Sequence, residues 1–242
     1  MKKTTGAIAL LGGSEWTEPC RALDSRLLHL SETDEVLILP TAAAFEQPDD
    51  AVARAAAWFG GLGATAKGLP VLNRRDAEAD ANVAAMRVAR FVYLADGSPL
   101  HLRSVLKGSA LFDALLYAHG RGAVIAASGA GATVVCDPMI DPRGGAYTVG
   151  LGIVTGVAVF PDHASAADHR RDRSIELQPP DALLVGLDAQ TAIVREGSGE
   201  WTVMGPGHAT VFRPGAAGEV LTDGDRTDLS GAGLDGAAAT TA

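Results

Sequence analysis

Five short apolar runs, each cut off by glycine, proline or aspartate, constrain this chain more than any other feature: Ala7–Leu11, Val36–Leu39, Phe91–Leu94, Ala123–Ala126 and Val157–Phe160. Runs this short and this uniformly apolar fit strands buried on both faces, as in a parallel sheet. The stretches between them have helical composition. Pro19–Leu30 sets Leu23, Leu27 and Leu30 on one face, and Asp49–Phe59 is alanine-rich with Asp49 or Asp50 available as a cap. Asn82–Arg90, Leu100–Leu106 and Ser109–Gly120 follow. Strand alternating with helix predicts a three-layer α/β/α fold with a mostly parallel sheet. Later, Ala192–Val194, Trp201–Met204 and Thr210–Phe212 are short and turn-separated, so they read as antiparallel strands near the sheet edge. The 242 residues suit one α/β domain over 1–220. Residues 221–242, rich in Gly, Ala, Asp and Thr, offer little to bury and are expected to form a flexible tail.

Charge and cysteine usage exclude several classes of function. The net charge is -9, and the densest basic cluster, His169, Arg170, Arg171 and Arg173, is interrupted by Asp172. It reads as a solvated helix face, so nucleic acid is not an expected partner. The apolar run that ends at Leu11 is stopped by Gly12-Gly13, too soon for a membrane span or a signal core. Cys20 and Cys136 match no metal or disulfide framework, and a reducing cytoplasm is the expected compartment. His29, His101, His119, His169 and His208 have no zinc-ligand spacing, and Gly12-Gly13-Ser14-Glu15 is no dinucleotide fingerprint. Neither a metal nor a cofactor is expected.

In open parallel sheets the ligand crevice lies beyond the carboxyl ends of the strands. Candidate binding residues therefore cluster at strand exits: Gly12 and Gly13, then Asp96, Gly97 and Ser98, then Ala130, and finally Asp162 beside His163. The sharpest signal is the fourth exit, where Ala127-Ser128-Gly129-Ala130-Gly131-Ala132 passes from apolar strand to a turn of small residues. A nucleophile elbow has this form, because its backbone is strained and crowded.

At this elbow the chain resembles the cyanophycinases and aspartyl dipeptidases, which carry Gly-x-Ser-Ala-Gly-Ala within the class I glutamine amidotransferase-like, flavodoxin-like fold. Matching Ala130-Gly131-Ala132 to the final Ala-Gly-Ala puts Gly129, not Ser128, at the nucleophile position. The stretch from Tyr93 to Leu106 resembles the family's Phe-Phe-x-Gly-Gly-x-Gln-x-x-Leu, with Asp96-Gly97 for Gly-Gly and Pro99 for Gln. Gly150 to His163 resembles the segment that ends in the catalytic histidine, and Gly186 to Ala192 resembles Gly-Ile-Asp-Glu-x-Thr-Ala, with Ala189 where a triad glutamate would stand. The likeness runs from about Ile8 to Phe212. It implies aspartyl- or arginyl-containing ligands, although Pro99 replaces the family's Gln, and a homodimer among the candidate partners.

A triad needs a nucleophile, a base and an orienting acid. By the resemblance only the base, His163, is kept, while Asp162 and Asp188 are the acids within reach of it in sequence. A carboxylate at Asp96 would repel a tetrahedral anion where the family offers backbone donors. Three readings follow. In the first, the protein lacks serine peptidase activity and its crevice binds a small polar molecule or short peptide. In the second, Ser128 and His163 form an active serine hydrolase, which requires a compensating bulge because a one-residue shift turns a strand side chain to the opposite face. In the third, His163 acts as acid or base without a covalent step.

Overall fold

The computed structural model describes residues 5–197 and 200–229. Four of the five apolar runs form the centre of the main sheet: β1 (Ile8–Leu11), β2 (Glu35–Leu39), β4 (Phe91–Leu94) and β5 (Val124–Ser128), with β3 (Thr65–Gly68) added at the edge. All five are parallel, in the order β1-β5-β4-β2-β3. Helices α1 (Arg21–Ser31), α2 (Pro48–Gly60), α3 (Arg74–Ala77), α4 (Asp80–Val88), α5 (Pro99–Leu106) and α6 (Ala110–His119) connect them. Alternation along each strand sorts the core into two layers. Ala9, Leu11, Ile38, Tyr93 and Ala126 pack with Leu27 and Phe59 of α1 and α2. Ile8, Leu10, Val92, Leu94, Ile125 and Ala127 pack on the other face with α5 and α6. This is the expected three-layer α/β/α architecture.

After the short helix α7 (Ala130–Val135) the chain forms β6 (Cys136–Asp137), the hairpin β7 (Met139–Ile140) and β8 (Tyr147–Thr148), β9 (Val154–Thr155) and β10 (Val157–Phe160). Helix α8 (Asp168–Glu176) leads to β11 (Leu183–Leu187), β12 (Ala192–Arg195), β13 (Trp201–Met204), β14 (Ala209–Phe212), β15 (Glu219–Leu221) and β16 (Arg226–Thr227). Strands β12, β13 and β16 extend the main sheet in antiparallel fashion beyond β1.

Two expectations are corrected. Val157–Phe160 is a parallel strand, but it pairs with β11 in a second sheet ordered β15-β14-β11-β10-β6-β9, which also takes Thr210–Phe212. Apolar runs announce strands without saying which sheet they join, because pairing is non-local. Part of the predicted tail is also structured. Leu221 closes β15, Arg226–Thr227 pair with β13, and Leu221 and Leu229 are both buried. The remainder of the predicted tail, residues 230–242, lies outside the described residues.

Candidate functional site

The exit of β5 carries the strongest local geometry. Gly129 has φ 49° and ψ −106°, and α7 starts at the next residue. That backbone is unfavourable for any residue with a Cβ and costs glycine little. A Cβ built on Gly129 would lie 2.2 Å from Cγ and Oδ1 of Asp96 and 2.3 Å from its Oδ2. The Asp96 carboxylate therefore occupies the space that a side chain at position 129 would need. Its Oδ1 accepts the Ala130 N–H at 2.7 Å and the Gly97 N–H at 2.7 Å. Burial raises the Asp96 pKa; the two N–H bonds pull it down, and the negative charges of Glu15 and Asp162 push it further up.

Ser128 points the other way. As Ala126 belongs to the layer of α1 and α2, period-two alternation sends Ser128 to the same face. It is 0 % exposed, and its hydroxyl donates to Glu15 Oε2 at 2.8 Å. Glu15 Oε1 accepts the Asp96 N–H at 3.2 Å, so one carboxylate ties the exits of β1, β4 and β5 together. Gly12 and Gly13 seal the opposite seam. The Gly12 carbonyl accepts the Asp162 N–H at 2.8 Å, and the Gly13 carbonyl accepts the Gln190 N–H at 2.9 Å. A Cβ on Gly12 would lie 2.2 Å from the Asp188 carbonyl oxygen, so only glycine lets the two sheets meet this closely. Ser98 starts α5, its hydroxyl accepting the His101 N–H at 3.4 Å.

Asp96, Gly97, Gly129, Ala130, Asp162 and Arg170 border one cleft of about 350 Å³, whose apolar wall includes Phe160 and Ile140. Burial and the charge of Glu15 raise the Asp162 pKa. His169 and Arg173 are exposed as the solvated-face expectation has it, and Arg170 departs from it. Its Nη2 donates to the Pro142 carbonyl at 3.2 Å, and its Nε is buried without a hydrogen-bond partner among the described residues. The signal was its place one helical turn before Ser174, the buried residue of α8.

His163 and Asp188 form a neighbouring group and do not border that cleft. The His163 ring lies beside Phe160 and Phe212, with centroids 5.9 and 5.7 Å away. It fits only because residue 186 is glycine: a Cβ there would come within 2.4 Å of the ring. Asp188 accepts the Ala164 N–H at 3.0 Å on Oδ1 and the His208 N–H at 2.9 Å on Oδ2. Its Oδ2 also lies 3.2 Å from His208 Nδ1. Asp188 thus reaches His163 through its charge. Burial lowers the His163 pKa, Asp188 works against that shift, and Arg171 adds to it. Among the described residues no group of three or more His, Cys, Asp or Glu side chains is placed to hold a metal ion. Cys136 is buried in the core, which drives its thiol pKa up.

The strained turn after β5, set within these two sheets, coincides with a family model that matches residues 8–201, described as peptidase family S51. The chain belongs to peptidase family S51. It is 26 % identical over 228 residues to a peptidase E of Citrobacter koseri, covering 89 % of this chain and 95 % of that protein. It is 28 % identical over 156 residues to a cyanophycinase of Synechococcus elongatus, covering 60 % of this chain and 48 % of that protein. The chain thus spans about half the length of the cyanophycinase it matches. A crystal structure of a peptidase from an acI-B1 actinobacterium superposes with a TM-score of 0.85 at 24 % identity, covering 94 % of this chain and 98 % of that one, which shows a shared fold. No helix among the described residues is long and apolar enough to cross a membrane.

Proposed function

We propose that this S51 protein does not hydrolyse peptides by a serine mechanism and that its cleft binds a small polar molecule or short peptide. One observation carries the reading: the Asp96 carboxylate fills the side-chain space of Gly129 and takes the N–H groups of Ala130 and Gly97. In a serine peptidase that space belongs to the nucleophile, and donors so placed receive the substrate's oxyanion. Here an internal carboxylate uses both. Ser128 offers no replacement, since it is buried on the opposite face and bonded to Glu15.

The cleft itself suits a ligand of amino-acid or dipeptide size. The carboxyl groups of Asp96 and Asp162 and the positive charge of Arg170 line one cleft with an apolar wall, a combination that favours a ligand carrying both an ammonium and a carboxylate. The relatives named peptidase E and cyanophycinase make aspartyl dipeptides and Asp–Arg dipeptides the ligands to try first.

A fluorophosphonate probe tests the chemistry, and thermal shifts test the binding. The expected result is no covalent adduct and no dipeptide cleavage, with a melting temperature that rises with dipeptide concentration. A ligand at a hundred times its Kd adds about 2.7 kcal/mol to stability. Labelling of Ser128, abolished by Ser128→Ala together with dipeptide hydrolysis, would overturn the proposal.

A further inference from the structure

We infer that Asp96 is itself a nucleophile: its unbonded carboxylate oxygen attacks an sp3 carbon that carries an oxygen leaving group, with Asp162 as acid and then base. The inference rests on the reading above, in which position 129 supplies no nucleophile. The substrate class is a small epoxide bearing a carboxylate.

A carboxylate works as a covalent nucleophile when one oxygen is held and the other is free. Asp96 meets that condition. Oδ1 takes two backbone N–H groups, at 2.7 Å each, while Oδ2 receives no hydrogen bond from a described residue and the side chain borders the cleft. The carboxylate also stands within 2.3 Å of where a side chain on the elbow residue would begin. The reacting group has thus moved from the elbow to the adjacent strand exit without leaving the site.

The same geometry selects the electrophile. Acyl substrates develop an oxyanion on their own carbonyl oxygen, and here the two donors are already engaged by Oδ1. Attack on an sp3 carbon places the developing charge on the leaving oxygen instead, so it needs no vacant donor pair. The donors act in the following step. Once Oδ2 is esterified, Oδ1 is the ester's carbonyl oxygen, already sitting at about the 2.7–3.1 Å separation that stabilises a tetrahedral oxyanion.

The steps balance. An Oδ2 electron pair forms the bond to the epoxide carbon. The ring C–O bond breaks, and its oxygen takes a proton from Asp162. The Asp162 carboxylate then removes a proton from water as the water oxygen adds to Asp96 Cγ, and the carbonyl pair moves onto Oδ1. Collapse re-forms the carbonyl and expels the alkoxide, which takes the proton from Asp162; the Asp96 carboxyl returns its own proton to Asp162. The sum is epoxide plus water giving a diol, with an oxygen from water retained in Asp96. Asp162 suits the paired role because it borders the same cleft and its charge is felt by Asp96. Arg170 lines the same cleft and supplies the positive charge that a substrate carboxylate needs.

The test incubates the full chain with glycidate (oxirane-2-carboxylate) in 18O-water, then maps the peptides by mass spectrometry. The expected result is heavy oxygen in the peptide containing Asp96 and a diol product. In Asp162→Asn, which lacks both the acid and the base, ring opening and ester hydrolysis should both slow, so that on long incubation the ester persists, seen as the mass of one glycidic acid added to that peptide. Asp96→Asn, which keeps an acceptor for both N–H groups, should show neither mark and lose diol formation by about a thousand-fold or more. Absence of both the isotope and the trapped ester, or a label confined to another carboxylate, overturns the inference. That outcome with no fluorophosphonate adduct leaves the serine-less reading intact, whereas labelled Ser128 removes both.

Discussion

At the exit of β5 the strained turn is present and its side chain is gone; at the exit of β10 the side chain, His163, is present beside Asp188, while Ser128 lies on another face. Gly129 holds φ 49° and ψ −106° with both donor N–H groups engaged, although no reactive atom projects from it. His163 has a reactive ring that is packed beside Phe160, Phe212 and Gly186 and borders a different space from Gly129. The contrast teaches that backbone geometry and side-chain chemistry are maintained by different forces. The turn is over-determined by the sheet, by Glu15 bridging three strand exits, and by Asp96 filling the void. The position of His163 depends on ring packing and on the absence of one Cβ.

The first way to break this comparison is to put the serine back. Gly129→Ser places a Cβ at 2.2 Å from the Asp96 carboxylate and forces a non-glycine residue into that turn. Overpacking and backbone strain together should destabilise the fold by about 4 kcal/mol, read from denaturant midpoints. Adding Asp96→Gly removes the collision and should recover more than half of the loss. Strict additivity of the two variants would show that Asp96 is not what fills that space.

The β10 side has its own collision. Gly186→Ala sets a Cβ within 2.4–2.8 Å of three atoms of the His163 ring, which must rotate away. A loss of about 2 kcal/mol is expected, and His163→Ala in the same chain should cancel most of it. If Gly186→Ala costs nothing alone, the ring is not confined as described.

A smaller effect separates Ser128 from chemistry altogether. Ser128→Ala removes the hydroxyl that donates to Glu15 Oε2 at 2.8 Å, at a cost of about 1.5 kcal/mol. The thermal shift produced by a bound dipeptide should be unchanged in size. A variant that keeps its stability but loses dipeptide binding would place Ser128 in the cleft.

Much of the main sheet was legible because its strands are uniformly apolar and end abruptly, as in Phe91–Leu94, found with its observed bounds. Thr65–Gly68 escaped because an edge strand reading Thr-Ala-Lys-Gly, largely exposed, has no apolar signature. The second sheet was hidden for another reason: Leu183–Leu187 is as apolar as any central strand, yet nothing local states that it pairs with Val157–Phe160. At the site, the sequence pattern Ala130-Gly131-Ala132 was enough to point to Gly129 as the turn residue. What it hid were contacts across long separations. Glu15 and Ser128 lie 113 residues apart and Asp96 and Ala130 lie 34 apart. Asp96 was expected to repel an incoming anion; the coordinates put its own oxygen on the donors, a different consequence of the same charge.

The two exits should also respond to pH with opposite sign. Burial raises the Asp96 pKa, so between the unfolded value, about 3.9, and the higher folded value the native state holds more of this proton than the unfolded chain does. Stability from this group is greatest at low pH and is lost as pH rises through that interval. Burial lowers the His163 pKa, so below about 6.5 the unfolded chain takes up the proton first. Its contribution is intact at higher pH and is lost as pH falls toward the folded value. Subtracting the stability–pH curve of Asp96→Asn from that of the parent should leave a difference that declines with rising pH in the acidic range. The His163→Gln subtraction should leave one that increases with rising pH nearer neutrality. Each slope should amount to a fraction of a proton, the smallest of these effects. It remains diagnostic through its sign, because burial disfavours the carboxylate of Asp96 and the imidazolium of His163 alike, whereas a slope of the other sign at either exit would show that a charge partner outweighs burial there.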